Sequence, residues 1–130
     1  LLEGGALSGV RLLRPDTVRL MQTNRLTKAQ REAPFAGMLL WRKSGFGLGV
    51  SIAEDLIDNP YACGATGSIT WPGIFGTWWQ ADPVNDLILI YLIQDSMPLG
   101  PEAVTAMQGQ RPTGRIALPM FQKMAYAALQ

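Results

Sequence analysis

Eleven basic and ten acidic side chains leave these 130 residues with a net charge of +1, and the Arg and Lys residues are scattered, so the electrostatic footprint of a nucleic-acid binder is missing. The absence of histidine and the presence of a single cysteine exclude a zinc site built from His and Cys ligands and an internal disulfide; no metal and no cofactor is expected. Hydrophobic residues make up 48% of the chain, enough for a core, while the seven-residue apolar run Leu87 to Ile93 is far too short to cross a bilayer.

Leu1-Leu-Glu-Gly-Gly5 reads as the end of a helix followed by a Gly-rich turn. Pro15 to Met21 reads as a short helix: proline suits the first helical position, Asp16 sits near the positive end of the dipole, and Val18, Leu20 and Met21 form an apolar face. Asn24 to Pro34 is polar and expected at the surface. Met38 to Trp41 and Phe46 to Ala53 read as strands, with Gly47 and Gly49 two apart on one side of the second, where another element can come close. Cys63 reads as a small, partly buried hydrophobe in a loop rather than a reactive thiol, because no cationic neighbour is there to activate it.

Strands are expected near 68–72, 75–81 and 86–94, with Ala81-Asp-Pro-Val-Asn-Asp86 supplying a turn. Asp82 and Asp86, flanking Pro83 and Asn85, fit that turn better than a catalytic carboxylate pair. Leu87 to Ile93 is apolar at every position, as a central strand covered on both faces would be. Asp95 to Gly114 is rich in Pro and Gly and reads as a long loop. A helix from about 117 to 129, with Pro119 at its start and Met120, Phe121, Met124 and Ala128 along one stripe, closes the chain on one face of the sheet. The fold class is α+β, an α/β sandwich in which an antiparallel sheet carries a packed C-terminal helix.

The order of residues in Gly67-Ser-Ile-Thr-Trp-Pro-Gly-Ile-Phe-Gly-Thr-Trp-Trp-Gln-Ala-Asp-Pro83 resembles the third active-site strand and following hairpin of the serine β-lactamase and penicillin-binding-protein superfamily, in its class C and family VIII esterase branch. There a Lys-Thr-Gly, His-x-Gly or Trp-Gly-Gly triplet precedes a Gly-Thr and an aromatic-rich strand ending in Asp-Pro. The triplet here is Trp71-Pro72-Gly73. Gly45-Phe-Gly-Leu-Gly-Val50 is similar to that superfamily's Gly-aromatic-Gly-Leu-Gly strand, and Leu1 to Met21 to its helix, turn and helix, so the likeness runs nearly the length of the chain.

The superfamily's nucleophile lies in a Ser-x-x-Lys motif, and its second motif is Tyr-x-Asn or Ser-x-Asn. Neither stands in this chain: Ser8, Ser44, Ser51, Ser68 and Ser96 have Arg11, Gly47, Glu54, Trp71 and Leu99 three residues on. The resemblance therefore implies that residues 1–130 are the C-terminal fragment of a β-lactamase-related domain of the β-lactamase/DD-peptidase fold, with both motifs upstream. It also implies roles for the residues present. Trp71 would line the pocket, Gly73 would let an acyl group approach the backbone, and the backbone N–H of Ile74 would be one of two oxyanion donors. Pro72 departs from the usual Gly or Thr, and Trp71 replaces the cationic lysine that would bind a β-lactam carboxylate, which favours ester over β-lactam hydrolysis. Strand geometry alone makes Trp71, Trp78 and Trp79 packing aromatics. Trp78 and Trp79 point to opposite faces and keep that reading.

Two functional classes follow. One is a serine hydrolase acting through an acyl-enzyme on a small-molecule ester, amide or β-lactam, the fragment alone being inactive. The other is a non-catalytic interaction or oligomerisation module. A sheet stripped of upstream helices would expose an apolar face, so self-association is expected.

Overall fold

The computed structural model describes residues 1–35, 39–57, 59, 61–95 and 113–129. Its architecture is α+β: an antiparallel sheet with a C-terminal helix laid on one face. The chain begins with a two-residue hairpin, β1 (Ala6–Leu7) and β2 (Val10–Arg11), closed by Ser8 and Gly9 at φ 49 and 81. Two consecutive left-handed residues give the turn whose twist suits a hairpin, which is why a glycine follows the serine. The helix end expected at Leu1 to Gly5 is a turn instead, with Gly4 and Gly5 both at positive φ.

α1 (Pro15–Met21) forms as the sequence predicts, with proline in its first turn, Asp16 near its N-terminus and Arg19 in its last turn. Of its apolar residues Val18 is buried and Leu20 is exposed, so the inward face is narrower than expected. The polar segment after it holds a further helix, α2 (Lys28–Glu32), which buries nothing and is held by a capping box. The Thr27 side chain receives Gln30 N–H, and Gln30 Oε1 receives Thr27 N–H, so the backbone donors at the helix start are satisfied reciprocally.

Residues 39–41 are not in the expected strand: 40 and 41 lie in a turn, with Trp41 buried in it, and Met38 lies outside the described residues. Phe46 to Ala53 is a hairpin rather than one strand: β3 (Ser44–Phe46) pairs with β4 (Ser51–Ala53) through a loop at Leu48-Gly49, where Gly49 has φ 83. Gly47 therefore closes a turn, its N–H bonded to Val50 O at 2.9 Å. A Cβ at Gly47 would overlap the carbonyl oxygen of Met21, so the close approach read from this glycine is real, and its partner is the end of α1.

β5 (Ile69–Pro72), β6 (Trp78–Asp82) and β7 (Leu87–Tyr91) complete a five-stranded sheet in the order β3-β4-β5-β6-β7, every pair antiparallel. The register sets Trp71 opposite Trp79, Ile69 opposite Ala81 and Gln80 opposite Leu89. Side chains alternate across a strand, so Ile69, Trp71, Trp79 and Ala81 share one face, and Thr70, Trp78, Gln80 and Asp82 the other. The first face carries a core of Val50, Ile52, Ile69 and Ala81 with Leu2 and Trp79 against it. The second carries Trp78, Leu89 and Leu118, flanked by Tyr61, Leu87, Tyr91, Phe121 and Tyr126. Trp78 and Trp79 do point to opposite faces and both pack, as the alternation requires.

The C-terminal helix, α3 (Thr113–Ala127), begins earlier than expected and carries Pro119 inside it rather than at its start. Proline there forfeits one intrahelical hydrogen bond. Its inward stripe is also displaced: Leu118, Phe121, Ala125 and Tyr126 meet the sheet, while Met120 and Met124 are exposed. Of the loop read from Asp95 to Gly114, positions 96–112 lie outside the described residues.

β7 is the clearest departure. Among the described residues it is an edge strand, not a central one, and α3 covers only the face bearing Leu89. Ile88, Ile90 and Leu92 on the other face are 57%, 60% and 78% exposed. The continuous apolar run thus reports two apolar faces of which one is covered here. No described helix is long and apolar enough to cross a membrane.

Candidate functional site

The residues singled out from the sequence come together at one end of the sheet. β5 ends in Trp71 and Pro72, and residues 73–77 return the chain to β6. Gly73 N–H donates to Thr77 O at 2.6 Å and Gly76 N–H to Gly73 O at 3.0 Å, so Gly73 to Gly76 forms a tight turn with Ile74 and Phe75 as its central residues. Gly76 has φ 89. A Cβ at Gly73 would overlap Thr77 Oγ1, so a side chain here would displace that hydroxyl. Ile74 and Phe75 are about half exposed, which puts the backbone of residue 74 at the tip of the hairpin.

Pro72 pairs with Trp78 at the last rung of the ladder, where a missing N–H does least harm. Trp71 is partly buried, and its orientation comes from another hairpin. Its indole stacks on Trp41 with centroids 6.0 Å apart and planes at 22°, and Phe46 tilts against it at 5.3 Å. Phe46 also meets Trp41 at 5.1 Å, and Phe35 meets Trp41 at 5.8 Å. Aromatic pairs at such separations gain about 0.5–1.5 kcal/mol each beyond their area burial, so the row holds Trp71 firmly. The sequence reading has Trp41 only as the end of an expected strand and gives Phe35 no role; an isolated aromatic residue carries no periodic signal.

A second constellation lies on the opposite face of the sheet, and sequence reasoning did not find it. Gln80 and Asp82, both 0% exposed, sit under α3. Tyr126 Oη donates to Asp82 Oδ2 at 2.7 Å and accepts from Gln80 Nε2 at 2.8 Å. The Gln80 amide also bridges Cys63, giving a hydrogen bond to its carbonyl at 2.9 Å and receiving its N–H at 3.1 Å. Asp82 also accepts from Val84 N–H, Asn85 N–H and the Asn85 side-chain amide, at 2.9, 3.1 and 2.7 Å. Gly64 at φ 79 fits where a Cβ would overlap the Tyr126 ring and hydroxyl. The only signal in the sequence is that Gln80 and Asp82 alternate with Trp79 and Ala81, which places polar groups on a covered face.

The electrostatics of this cluster are those of a clamp. Burial alone would raise the Asp82 carboxyl, but the hydrogen bonds from Tyr126, Asn85 and Val84 outweigh it and hold the group below the usual carboxylate range. Burial, together with the donated bond to Asp82, pushes the Tyr126 hydroxyl well above the ordinary tyrosine range, so it stays protonated. Burial pushes the Cys63 thiol up to about 11, against a smaller opposing effect of Gln80, and this matches its reading as an inert half-buried residue. An open depression of about 460 Å³ beside this cluster is lined by Cys63, Gly64, Gln122, Lys123, Tyr126 and Ala127. Among the described residues its lining holds no serine and no carboxylate, and it lies across the sheet from Trp71. Asp86 sits in the β6 to β7 turn at φ 49. Among the described residues no three Cys, Asp or Glu side chains converge as metal ligands would.

No family profile matches the chain. Two curated proteins of Mycobacterium tuberculosis are 43% identical to it over 133 aligned residues: the uncharacterized protein MT1414 of strain CDC 1551 / Oshkosh and protein Rv1367c of strain ATCC 25618 / H37Rv. Those alignments take in 99% of this chain and 33% of each relative, so the chain spans about a third of the length of the curated relatives it matches. Among solved structures, EstCE1, a hydrolase with promiscuous acyltransferase activity, overlaps 90% of this chain and 26% of its own, with TM-score 0.49 and 20% identity. Unliganded simvastatin synthase (LovD) from Aspergillus terreus overlaps 86% of this chain and 30% of its own, with TM-score 0.48 and 25% identity. Overlap at that level is a likeness of outline and carries no assignment.

Proposed function

We propose that residues 1–130 supply the third active-site strand of a serine hydrolase related to the β-lactamases and penicillin-binding proteins, which acts through an acyl-enzyme on an ester, amide or β-lactam. The observation that supports this most is the position of Trp71-Pro72-Gly73: the triplet that resembles the third motif ends a strand at a tight turn, with Ile74 at the exposed tip. A backbone N–H of residue 74 directed at the substrate would be held in place by this turn. Such preorganisation is what an oxyanion donor needs, and one donor contributes about 3 kcal/mol to the transition state. Trp71 would border the bound substrate and Gly73 would leave room beside it. With tryptophan in place of a cationic residue, the site favours esters over β-lactams.

The nucleophilic serine, its lysine base and the tyrosine would come from residues outside these 130. They would belong to a parent protein in which this chain is the C-terminal part of one domain, as a relative three times as long allows. Alone, the chain would provide a donor without a nucleophile and would not turn over substrate. The test is to express the full reading frame and treat it with a fluorophosphonate and with p-nitrophenyl acetate. The expected result is labelling of one serine within Ser-x-x-Lys and ester turnover, with neither in the 130-residue chain. A full-length protein that lacks the motif, or carries it and is neither labelled nor active, overturns the proposal.

One observation favours a second reading, an interaction or oligomerisation module. It is the exposed face of β7 bearing Ile88, Ile90 and Leu92, which would pair with a second copy or another segment.

A further inference from the structure

Four rings from three separate segments form a row that ends on the proposed third motif, which is more than a hairpin needs to hold one tryptophan. Trp71 comes from β5, Phe46 from β3, and Phe35 and Trp41 from the stretch before β3. Trp41 is buried and Phe35 is half exposed, so the row runs from the interior to the surface. Ile74 and Phe75, also half exposed, continue the apolar surface around the turn. The two guanidinium groups attached to this region are both engaged. Arg31 donates to Trp41 O at 3.1 Å and Arg42 O at 3.0 Å and pairs with Glu54 at 2.6 Å, while Arg42 pairs with Glu32 at 3.1 Å. Arg25, whose backbone N–H bonds to Phe46 O, is exposed. A carboxylated substrate would have to draw on it.

We infer that this row is the specificity wall of the site: it packs a flat or extended apolar group of a neutral ester beside the scissile bond. Trp71 and Phe35 touch that group, and Trp41 and Phe46 are positioning residues that hold Trp71 face-on. The inference rests on the hydrolase reading above. Each methylene fully buried against such a wall is worth roughly a factor of four in binding. A hexanoyl group has four more methylenes than an acetyl group, and contact on one side only leaves roughly tenfold.

The experiment measures kcat/KM of the full-length protein in three arms. The acyl arm compares p-nitrophenyl hexanoate with the acetate, the alcohol arm compares 1-naphthyl acetate with phenyl acetate, whose leaving groups are of similar acidity, and the anionic arm uses a chromogenic cephalosporin. The larger apolar group should win by roughly tenfold in one neutral arm, which also tells whether the wall serves the acyl or the alcohol side. Phe35→Ala and Trp41→Leu should each lower that ratio at least threefold, and Trp41→Phe should restore most of it, a rescue that a general loss of stability would not produce. Phe35→Ala, at a half-exposed position, keeps the test alive if Trp41→Leu does not fold. Ratios near one in both neutral arms, ratios indifferent to Phe35→Ala in folded protein, or a cephalosporin turned over faster than every neutral ester would each overturn the inference while leaving the hydrolase intact. Absence of turnover on every ester would instead remove the hydrolase reading, and the inference with it.

Discussion

Replacing Tyr126 by phenylalanine removes one oxygen from the clamp and leaves the ring where it packs. The lost hydroxyl donates to a buried carboxylate and accepts from a buried amide. Hydrogen bonds to charged groups contribute about 1.5–3 kcal/mol, and Asp82 and Gln80 both keep other partners, so the loss at pH 7 should be about 2 kcal/mol. For a domain of this size that corresponds to a fall in Tm of roughly 6–10 °C. The effect also has a pH signature. Asp82 is held below its ordinary value of 3.8 in the folded chain. A lowered folded value means that the stabilisation is complete above the unfolded value and disappears as pH falls through the folded one. Tyr126→Phe deletes one of the contacts that lower it, so the variant should unfold in acid at a higher pH than the parent. Urea unfolding followed by tryptophan fluorescence at pH 7, with an acid titration of both proteins, measures both quantities. A loss under about 0.5 kcal/mol at pH 7 with an unchanged slope, or coincident acid midpoints, would refute the clamp.

In the full-length protein, Ile74→Pro should lower kcat by roughly 10²–10³ while Ile74→Val stays within a fewfold, because the proposed role belongs to the backbone N–H. Residue 74 is the second position of its turn, where proline is favoured, so circular dichroism should show the proline variant folded; unchanged kcat in that protein removes Ile74 as donor. Gly64→Ala should cost more than about 2 kcal/mol in thermal or urea unfolding, since it combines a left-handed backbone with overlap against the Tyr126 ring. The 130-residue chain should sediment as a dimer or larger at tens of micromolar, through the face of Ile88, Ile90 and Leu92, and Ile90→Lys should shift it toward monomer; a clean monomer in the parent chain counts against that face.

Features that depend on neighbouring residues are legible in this sequence. Pro15 and Asp16 mark α1, and Pro83 and Asn85 mark the turn between β6 and β7. The alternation around Trp78 and Trp79 sets their faces. The capping box at Thr27 and Gln30 stands in the sequence too, in the polar segment read only as surface. Features that depend on distant contacts are not legible. Gly47 and Gly49 are two apart both in a strand and around a hairpin turn, and only the carbonyl of Met21 distinguishes them. Met120 and Met124 make as good an apolar stripe as Leu118, Phe121 and Tyr126 until Asp82 and Gln80 recruit the tyrosine. The run Leu87 to Ile93 records apolar character on both faces and cannot say what covers each. Of the proposed site, Trp71, Pro72, Gly73 and Ile74 are named by the order of the motif, whereas Trp41 stands beside Trp71, and Phe35 beside Trp41, only through tertiary packing.

Each strand of the larger sheet lies beside the one that follows it in the chain, from β3 through to β7. Pairing of this kind closes small loops, and chains dominated by near-neighbour contacts fold fast for their size. During synthesis each strand can therefore settle on its predecessor as it leaves the ribosome. The clamp forms later, since Tyr126 reaches back 44 residues to Asp82. Until the last turns of α3 emerge, the finished meander displays Trp78 and a row of polar groups with no cover, and this interval is when the nascent chain is most open to chaperones and to aggregation. α3 is the latch that ends it.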